Sequence, residues 1–237
     1  FPMSSKKNKE QQKPELTATK KNAIEKLDDF FAPYVKVWFW ISFGILLMLG
    51  LFFFDPKVSI GGDDSEYINR GYDLIKKGKF PGFQGPLYPI VLGVIMSVSG
   101  LNLIVIKIFS VIFMLVHFWL LFKVLEKYLP PSVLVPVLLM LATNASMLYF
   151  ASSTYTESFF LMVQSFFLFV FEKYFIRSLK LRYTLKEDFA KFLVLGFALF
   201  LMALTKNIGL TALIGVCIFF LMKKKWLAVA YTVLAFA

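Results

Sequence analysis

Residues 102–122 read NLIVIKIFSVIFMLVHFWLLF. This stretch carries a single charged residue, Lys107, and is long enough to cross the roughly 30 Å hydrocarbon core of a bilayer as a helix. Because a backbone in lipid must satisfy its own hydrogen bonds, we expect each comparable run to be helical as well. Such runs recur at about 36–54, 132–150, 158–171, 192–204, 208–222 and 226–237. The sequence therefore predicts an all-α membrane protein with about seven transmembrane helices.

The overall composition agrees with a chain that lives in lipid. Of the 237 residues, 58% are hydrophobic and 29 are Phe, which excludes a water-soluble domain with a polar surface. The formal net charge is +11, but the basic residues cluster between the apolar runs, as topology signals do, so we do not expect nucleic-acid binding. The only cysteine, Cys217, lies in an apolar run and allows no intrachain disulfide or cysteine metal cluster.

The topology depends on residues 86–99, an apolar run too short to span comfortably. If this run lies at the outer interface, most of the 26 basic residues face the inside; if it spans, fewer than half do. We therefore expect Leu87–Val98 to form an interfacial helix, preceded by another that starts near Asp63. Both would lie in a large first external loop, residues 55–101.

This topology divides the chain into two regions. Residues 1–35 form a cytoplasmic basic tail that includes a short amphipathic helix, and residues 36–237 form the transmembrane module. The protein is then a multi-pass protein of the cytoplasmic (inner) membrane with a cytoplasmic N-terminus. The last apolar run ends about a dozen residues after Lys225, which is shorter than a span, so we expect the module to be truncated at its C-terminus.

Three polar features on the proposed external side are not explained by membrane insertion. They are the pair Asp63 and Asp64, Glu157 at the start of the fourth span, and Lys206 after the fifth. Ionisable groups at a membrane are costly and are candidates for function. We expect helix packing to bring the three together. Simpler explanations remain open: the aspartates and Glu157 could cap helices, and Lys206 could extend to the interface.

Other motifs give no chemistry. His117, the only histidine, lies among Phe, Leu and Val, and packing explains it better than catalysis. Asn144 begins an Asn-Ala-Ser sequon, but we expect it inside a helix, where no transferase would reach it. The sequence contains no Walker loop, GxGxxG, HExxH or nucleophile elbow, so soluble nucleotide chemistry is unsupported.

The order of several short motifs resembles the polyprenyl-phosphate-dependent GT-C glycosyltransferases, which include protein O-mannosyltransferases and the lipid A aminoarabinose transferase. The similar features are Asp63 with Tyr67 and Gly71 after the first span, a PLYP segment opening the run Pro86–Gly100, TYTES with Glu157, and LTKNIG with Thr205 and Lys206. The resemblance covers nearly the whole chain after Val35. Two departures are Asp63-Asp64 where the family often has Asp-Glu, and Gln84-Gly85 where it often has Lys or His before the proline.

The resemblance implies a GT-C type module that transfers a sugar from a polyprenyl-phosphate carrier to a glycan, lipid or protein acceptor outside the membrane. Such a reaction needs a base for the acceptor's proton and a cation for the departing phosphate. Asp63 suits the base, with Glu157 next in importance and Asp64 more tolerant, and Lys206 suits the phosphate. We expect Gln84, Tyr67 and Tyr88 to contact sugar or phosphate, although packing explains the tyrosines equally well.

The expected reaction inverts the anomeric configuration and requires no cofactor. A divalent metal is possible, in which case Asp63 and Glu157 would hold it. Two other functions stay open. A flippase or transporter for lipid-linked sugars would show broken, paired helices and inverted repeats, which the sequence does not reveal. A catalytically inert membrane scaffold is the third.

Overall fold

A computed structural model describes residues 22–57, 62–82, 85–177, 179–180 and 183–237. Within these ranges the regular structure is entirely helical, which confirms the predicted fold class. The α-helices are α1 Ala23–Phe31, α2 Val35–Phe52, α3 Asp63–Lys77, α4 Leu87–Ser99, α5 Leu103–Leu125, α6 Pro131–Ala142, α7 Ala145–Ala151, α8 Thr156–Phe171, α9 Leu185–Thr205, α10 Leu210–Met222 and α11 Trp226–Phe236.

Fewer helices than expected are long enough to cross a bilayer. Four stretches of the described chain meet the length and hydropathy of a span: Ala23–Phe52, Leu103–Leu125, Thr156–Ile176 and Lys186–Thr205. The pair α6 and α7 would add a fifth. Helices α10 and α11 have only 13 and 11 residues, below the roughly 20 that a span needs. The structure therefore supports a multi-pass membrane protein with four or five spans by length.

The helices alternate in direction through the bundle. Phe39 of α2 stacks on Phe122 of α5, with ring centroids 4.2 Å apart, while Gly50 lies against Val111, so these two helices are antiparallel. Helix α8 runs parallel to α5 and antiparallel to α9. Contacts that establish this are Phe113–Phe159 and His117–Ser165 for the first pair, and Phe175–Phe192 and Glu157–Lys206 for the second. As a result, α2, α7 and α9 end where α5 and α8 begin, beside α3 and α4. We call this the α3–α4 end, and the other the α1 end.

Helices α3 and α4 form a closely packed hairpin at the α3–α4 end of the bundle. A Cβ on Gly71 would lie 2.8 Å from the carbonyl oxygen of Pro89, and one on Gly93 would lie 3.2 Å from the oxygen of Gly71. Only glycines permit backbones this close. Helix α4 matches the expected Leu87–Val98 within one residue. At 13 residues it is about 20 Å long, too short to span.

One predicted span is broken. Residues 132–150 form two helices, α6 and α7, which bend by 50° between Ala142 and Ala145. Asn144 causes the break, because its side-chain oxygen accepts a hydrogen bond from the backbone N–H of Met147, 3.1 Å away, and starts a new helix. The prediction that Asn144 lies inside a helix was wrong: it is the exposed N-cap of α7.

The first helix agrees with its prediction. Helix α1 falls within the stretch expected to be amphipathic, and Asn22 and Glu25 form a reciprocal capping box at its start. Its Asp28 carboxylate accepts a hydrogen bond from the backbone N–H of Ser132, 2.8 Å away. This contact fixes the start of α6 at the α1 end.

Candidate functional site

An ion pair links the start of α8 to the end of α9. The Nζ of Lys206 lies 2.7 Å from Oε1 of Glu157, and the two side chains are 30% and 32% exposed. Glu157 lies in the first turn of α8 and Lys206 is the first residue beyond α9, so each charge is favoured by the dipole of its own helix. The prediction that these two distant residues meet is confirmed. The ion pair lies at the α3–α4 end.

The two aspartates of α3 differ sharply in burial. Asp63 is exposed, whereas Asp64 is 1% exposed and its Oδ1 accepts a hydrogen bond from the backbone N–H of Ser65 at 2.8 Å. Neither aspartate is the N-cap, which is Gly62, but both lie in the first turn of α3, where the helix dipole favours negative charge, and Asp64 satisfies one of the free N–H groups of that turn. Of the two, Asp64 is the carboxylate buried in the protein, whereas the sequence analysis ranked Asp63 first as the base.

Tyr88, in the first turn of α4, lies near Asp64 and Glu157. It is fully buried, and its ring packs edge-on to Tyr67 at 5.6 Å and against Phe159 at 5.7 Å. Burial raises the pKa of the Tyr88 phenol well above its usual range, and the nearby negative charges of Glu157 and Asp64 act in the same direction. Tyr88 therefore stays protonated at physiological pH and is a neutral hydrogen-bond donor.

Several buried hydroxyl groups near this end lack a protein partner. The Tyr88 and Ser110 hydroxyls lie side by side, yet neither completes a hydrogen bond of good geometry within the described chain. The hydroxyls of Thr154, just before α8, and of Ser158, in its first turn, are also buried without a hydrogen-bond partner in the described chain. Leaving a buried hydroxyl unpaired costs about 1–3 kcal/mol, so these groups are suited to bind buried water.

Gly85 brings the start of α4 to the end of α9. Its φ is +83°, and a Cβ there would lie 1.9 Å from the carbonyl oxygen of Thr205. Any other residue would push the two segments apart. This contact keeps Tyr88 near the Lys206 end of α9. Gln84, the remaining predicted binding residue, lies outside the described residues.

A groove opens beside the same cluster. It encloses about 510 Å³ between the end of α2 and helix α7, and its walls are mainly apolar. Its lining residues are Leu49, Phe53, Thr143, Ala145, Leu148, Tyr149 and Ser152. The Tyr149 hydroxyl lies 3.4 Å from that of Tyr155, and Asp64 and Glu157 are close enough to act on Tyr149 electrostatically. The groove therefore connects an apolar surface to the acidic cluster.

Sequence reasoning missed three participants: Ser110, Tyr149 and Tyr155. A signal for the tyrosines was present, because residues 149–157 interrupt the apolar runs with two Tyr, several hydroxyl residues and Glu157. Ser110 gave none, since a single serine in a long apolar helix is common. In the described part of the chain no three His, Cys, Asp or Glu side chains are grouped to hold a metal ion, and the suggested ligand Asp63 is exposed.

Two further polar pairs link α5 to α8, one along the two helices and one just beyond their ends. The Nδ1 of His117 lies 2.7 Å from the Ser165 hydroxyl and 3.1 Å from the carbonyl oxygen of Leu161, which supports the packing explanation of His117. At the α1 end, Lys127 forms an ion pair with Glu172, whose side chain is 3% exposed. These contacts hold the two helices in register.

Comparison with known proteins identifies no relative. No protein-family model, curated protein or solved structure matches the chain.

Proposed function

We propose that this chain is a membrane module of a GT-C type glycosyltransferase that transfers a sugar from a polyprenyl-phosphate carrier to a glycan, lipid or protein acceptor. The observation that carries the proposal is the packing of Tyr88 against Tyr67 of α3 and Phe159 of α8. These contacts bring the first turn of α3, with its buried carboxylate Asp64, near the start of α8, where Glu157 forms an ion pair with Lys206. The reaction needs two charged groups: a base that takes the acceptor's proton and a cation that stabilises the departing phosphate.

In the proposed reaction the acceptor hydroxyl attacks the anomeric carbon while the bond from that carbon to the phosphate oxygen breaks. The leaving phosphate keeps the bonding electron pair, and Asp64 takes the acceptor's proton. Direct displacement inverts the anomeric configuration. Asp64 replaces Asp63 as the proposed base because an exposed carboxylate is solvated and poorly positioned, whereas a buried one can be held in line with its substrate.

Lys206 is the proposed phosphate-binding residue. The Lys206 side chain is 30% exposed and its ion-pair partner is Glu157, so in the proposal a phosphate approaches from the exposed side. Glu157 then orients the lysine and balances its charge when the site is empty. Because the carrier leaves as a monophosphate, this step depends less on a divalent metal than transfer from a nucleotide diphosphate would.

The apolar chain of the carrier fits the groove between α2 and α7. Tyr149 and Ser152 line that groove, and Tyr149 also lies beside the acidic cluster. A lipid lying there would have its phosphate directed to the polar end. In the proposal this site is at the outer face of the cytoplasmic membrane and the N-terminus is in the cytoplasm, the orientation that the distribution of basic residues favours.

The test is binding of polyprenyl phosphate to the full-length protein in detergent or nanodiscs. Replacing Lys206 by Met removes one charge-assisted hydrogen bond, worth about 1.5–3 kcal/mol, and should weaken binding roughly 10- to 150-fold. Lys76→Met, at an exposed position on α3, is the matched control and should bind like the wild type. Equal affinity in all three proteins would contradict the assignment of Lys206.

A flippase or transporter is the second candidate, because α6 and α7 form a broken helix and buried polar pairs recur along α5 and α8. It predicts movement of intact lipid-linked sugar between leaflets. The glycosyltransferase predicts free carrier phosphate and a glycosylated acceptor. A protein that binds neither carrier nor sugar would be a membrane scaffold.

A further inference from the structure

Lys107 is a buried cation inside the spanning helix α5. Its side chain lies one turn from the start of that helix, and the residue is 3% exposed. The ammonium donates a hydrogen bond to the carbonyl oxygen of Asp55, 2.6 Å away, and another to that of Lys57. Both carbonyls belong to the segment that follows α2, residues 53–57, which we call the connector.

The partners of Lys107 are backbone carbonyls. The Asp55 carboxylate bonds instead to the backbone N–H of Lys57, at 2.9 Å. Burying an ammonium is expensive, and carbonyl dipoles offset that cost only if they are held in place. An apolar residue would fill the same space in a spanning helix without this cost. Lys107 therefore holds the connector through its backbone carbonyls, and the side chains of the connector take no part in this contact.

The position of the connector matters for Asp64. Among the described elements, α3 packs extensively against α4 alone, and α4 itself has only a small contact with α5 and another with α9. The placement of α3 on the bundle thus depends on α4 and on the chain that leads into α3. Lys107 holds residues 53–57, the described part of the chain before α3, on one side, while Gly85 and Thr205 hold the hairpin on the other.

We propose that Lys107 is a positioning residue: by holding the connector against α5, it keeps α3 seated and Asp64 in place beside Tyr88. Its effect on turnover rests on the proposed function, whereas its effect on α3 does not. Loss of the ammonium should loosen α3 while leaving the spanning helices intact.

The experiment is amide hydrogen exchange of the full-length protein in nanodiscs, with donor turnover measured on the same samples. In Lys107→Met the amides of α3 should exchange at least about tenfold faster, while those of α9 stay unchanged. Lys107→Arg, which can donate to both carbonyls, should restore wild-type exchange. Lys57→Met is the matched control and should show wild-type exchange, because Lys107 binds the backbone carbonyl of this exposed residue and not its side chain.

The two readouts separate the two claims. Unchanged α3 exchange in Lys107→Met, or the same faster exchange in Lys107→Arg, would overturn the positioning role, whatever the activity. Faster α3 exchange restored by Arg, with no sugar transfer even in the wild type, would support the positioning role and count against the glycosyltransferase. If Lys107→Met does not fold, Lys107→Gln provides an uncharged hydrogen-bond donor on a shorter side chain, and intermediate exchange in α3 is then the expected result.

Discussion

Replacing Gly85 by Ala tests whether the contact between the start of α4 and the end of α9 organises the site. The residue has a φ of +83°, and left-handed backbone costs an L-residue roughly 1–2 kcal/mol. The added Cβ would also lie 1.9 Å from the Thr205 carbonyl oxygen, so one backbone must move, which costs about 1–3 kcal/mol. The variant should therefore lose roughly 2–5 kcal/mol of unfolding free energy.

The assay is unfolding of the full-length protein in mixed micelles, combined with carrier binding. Gly82→Ala is the control, because that glycine is exposed, has nothing within 4 Å of the added Cβ and needs no left-handed backbone. It should be neutral or slightly stabilising. If α4 separates from α9 without global unfolding, carrier affinity should fall while the unfolding free energy changes little. A Gly85→Ala protein with the stability and affinity of the control would refute the reasoning.

Two further predictions concern the acidic pair and the topology. Asp64→Asn should lower turnover about 100- to 10,000-fold, as expected for loss of a general base. Asp63→Asn should keep turnover near the wild-type value. The reverse result would assign the role of general base to Asp63. In a Cys217→Ala background, a membrane-impermeant thiol reagent added from outside should label Lys76→Cys but not Lys224→Cys. The reason is that the two positions lie at opposite ends of the bundle. Labelling of Lys224→Cys alone would show that the topology is the reverse of the proposed one.

Much of the architecture follows from hydrophobicity alone. Lipid forces apolar runs to be helical, so α2, α5, α8 and α9 could be located from composition, and α4 from its two prolines and its short length. The number of spans could not be predicted from composition, because α10 and α11 are apolar but shorter than a span. The break between α6 and α7 was missed because Asn144 acts through a local cap, which competes with helix continuation only when its side chain turns back on the backbone.

The site was predicted in part for a related reason. Glu157 and Lys206 stand at helix ends, and antiparallel neighbours bring such ends together, so their meeting could be foreseen. Which of two adjacent aspartates faces inward depends on the rotation of α3, and Gly71 against Pro89 and Gly93 sets that rotation. The burial of Lys107 could not be foreseen either, since its partners are backbone carbonyls that leave no trace in the sequence.

The most direct test of the central claim is to supply the full-length protein in proteoliposomes with polyprenyl-phosphate sugar carrying a labelled sugar and a labelled lipid. If Asp64, Glu157 and Lys206 form a transferase site, free polyprenyl phosphate and glycosylated acceptor should appear in equal amounts. Both products should fall together in Asp64→Asn. Intact labelled donor moving between leaflets, with no sugar released from its carrier, would contradict the account.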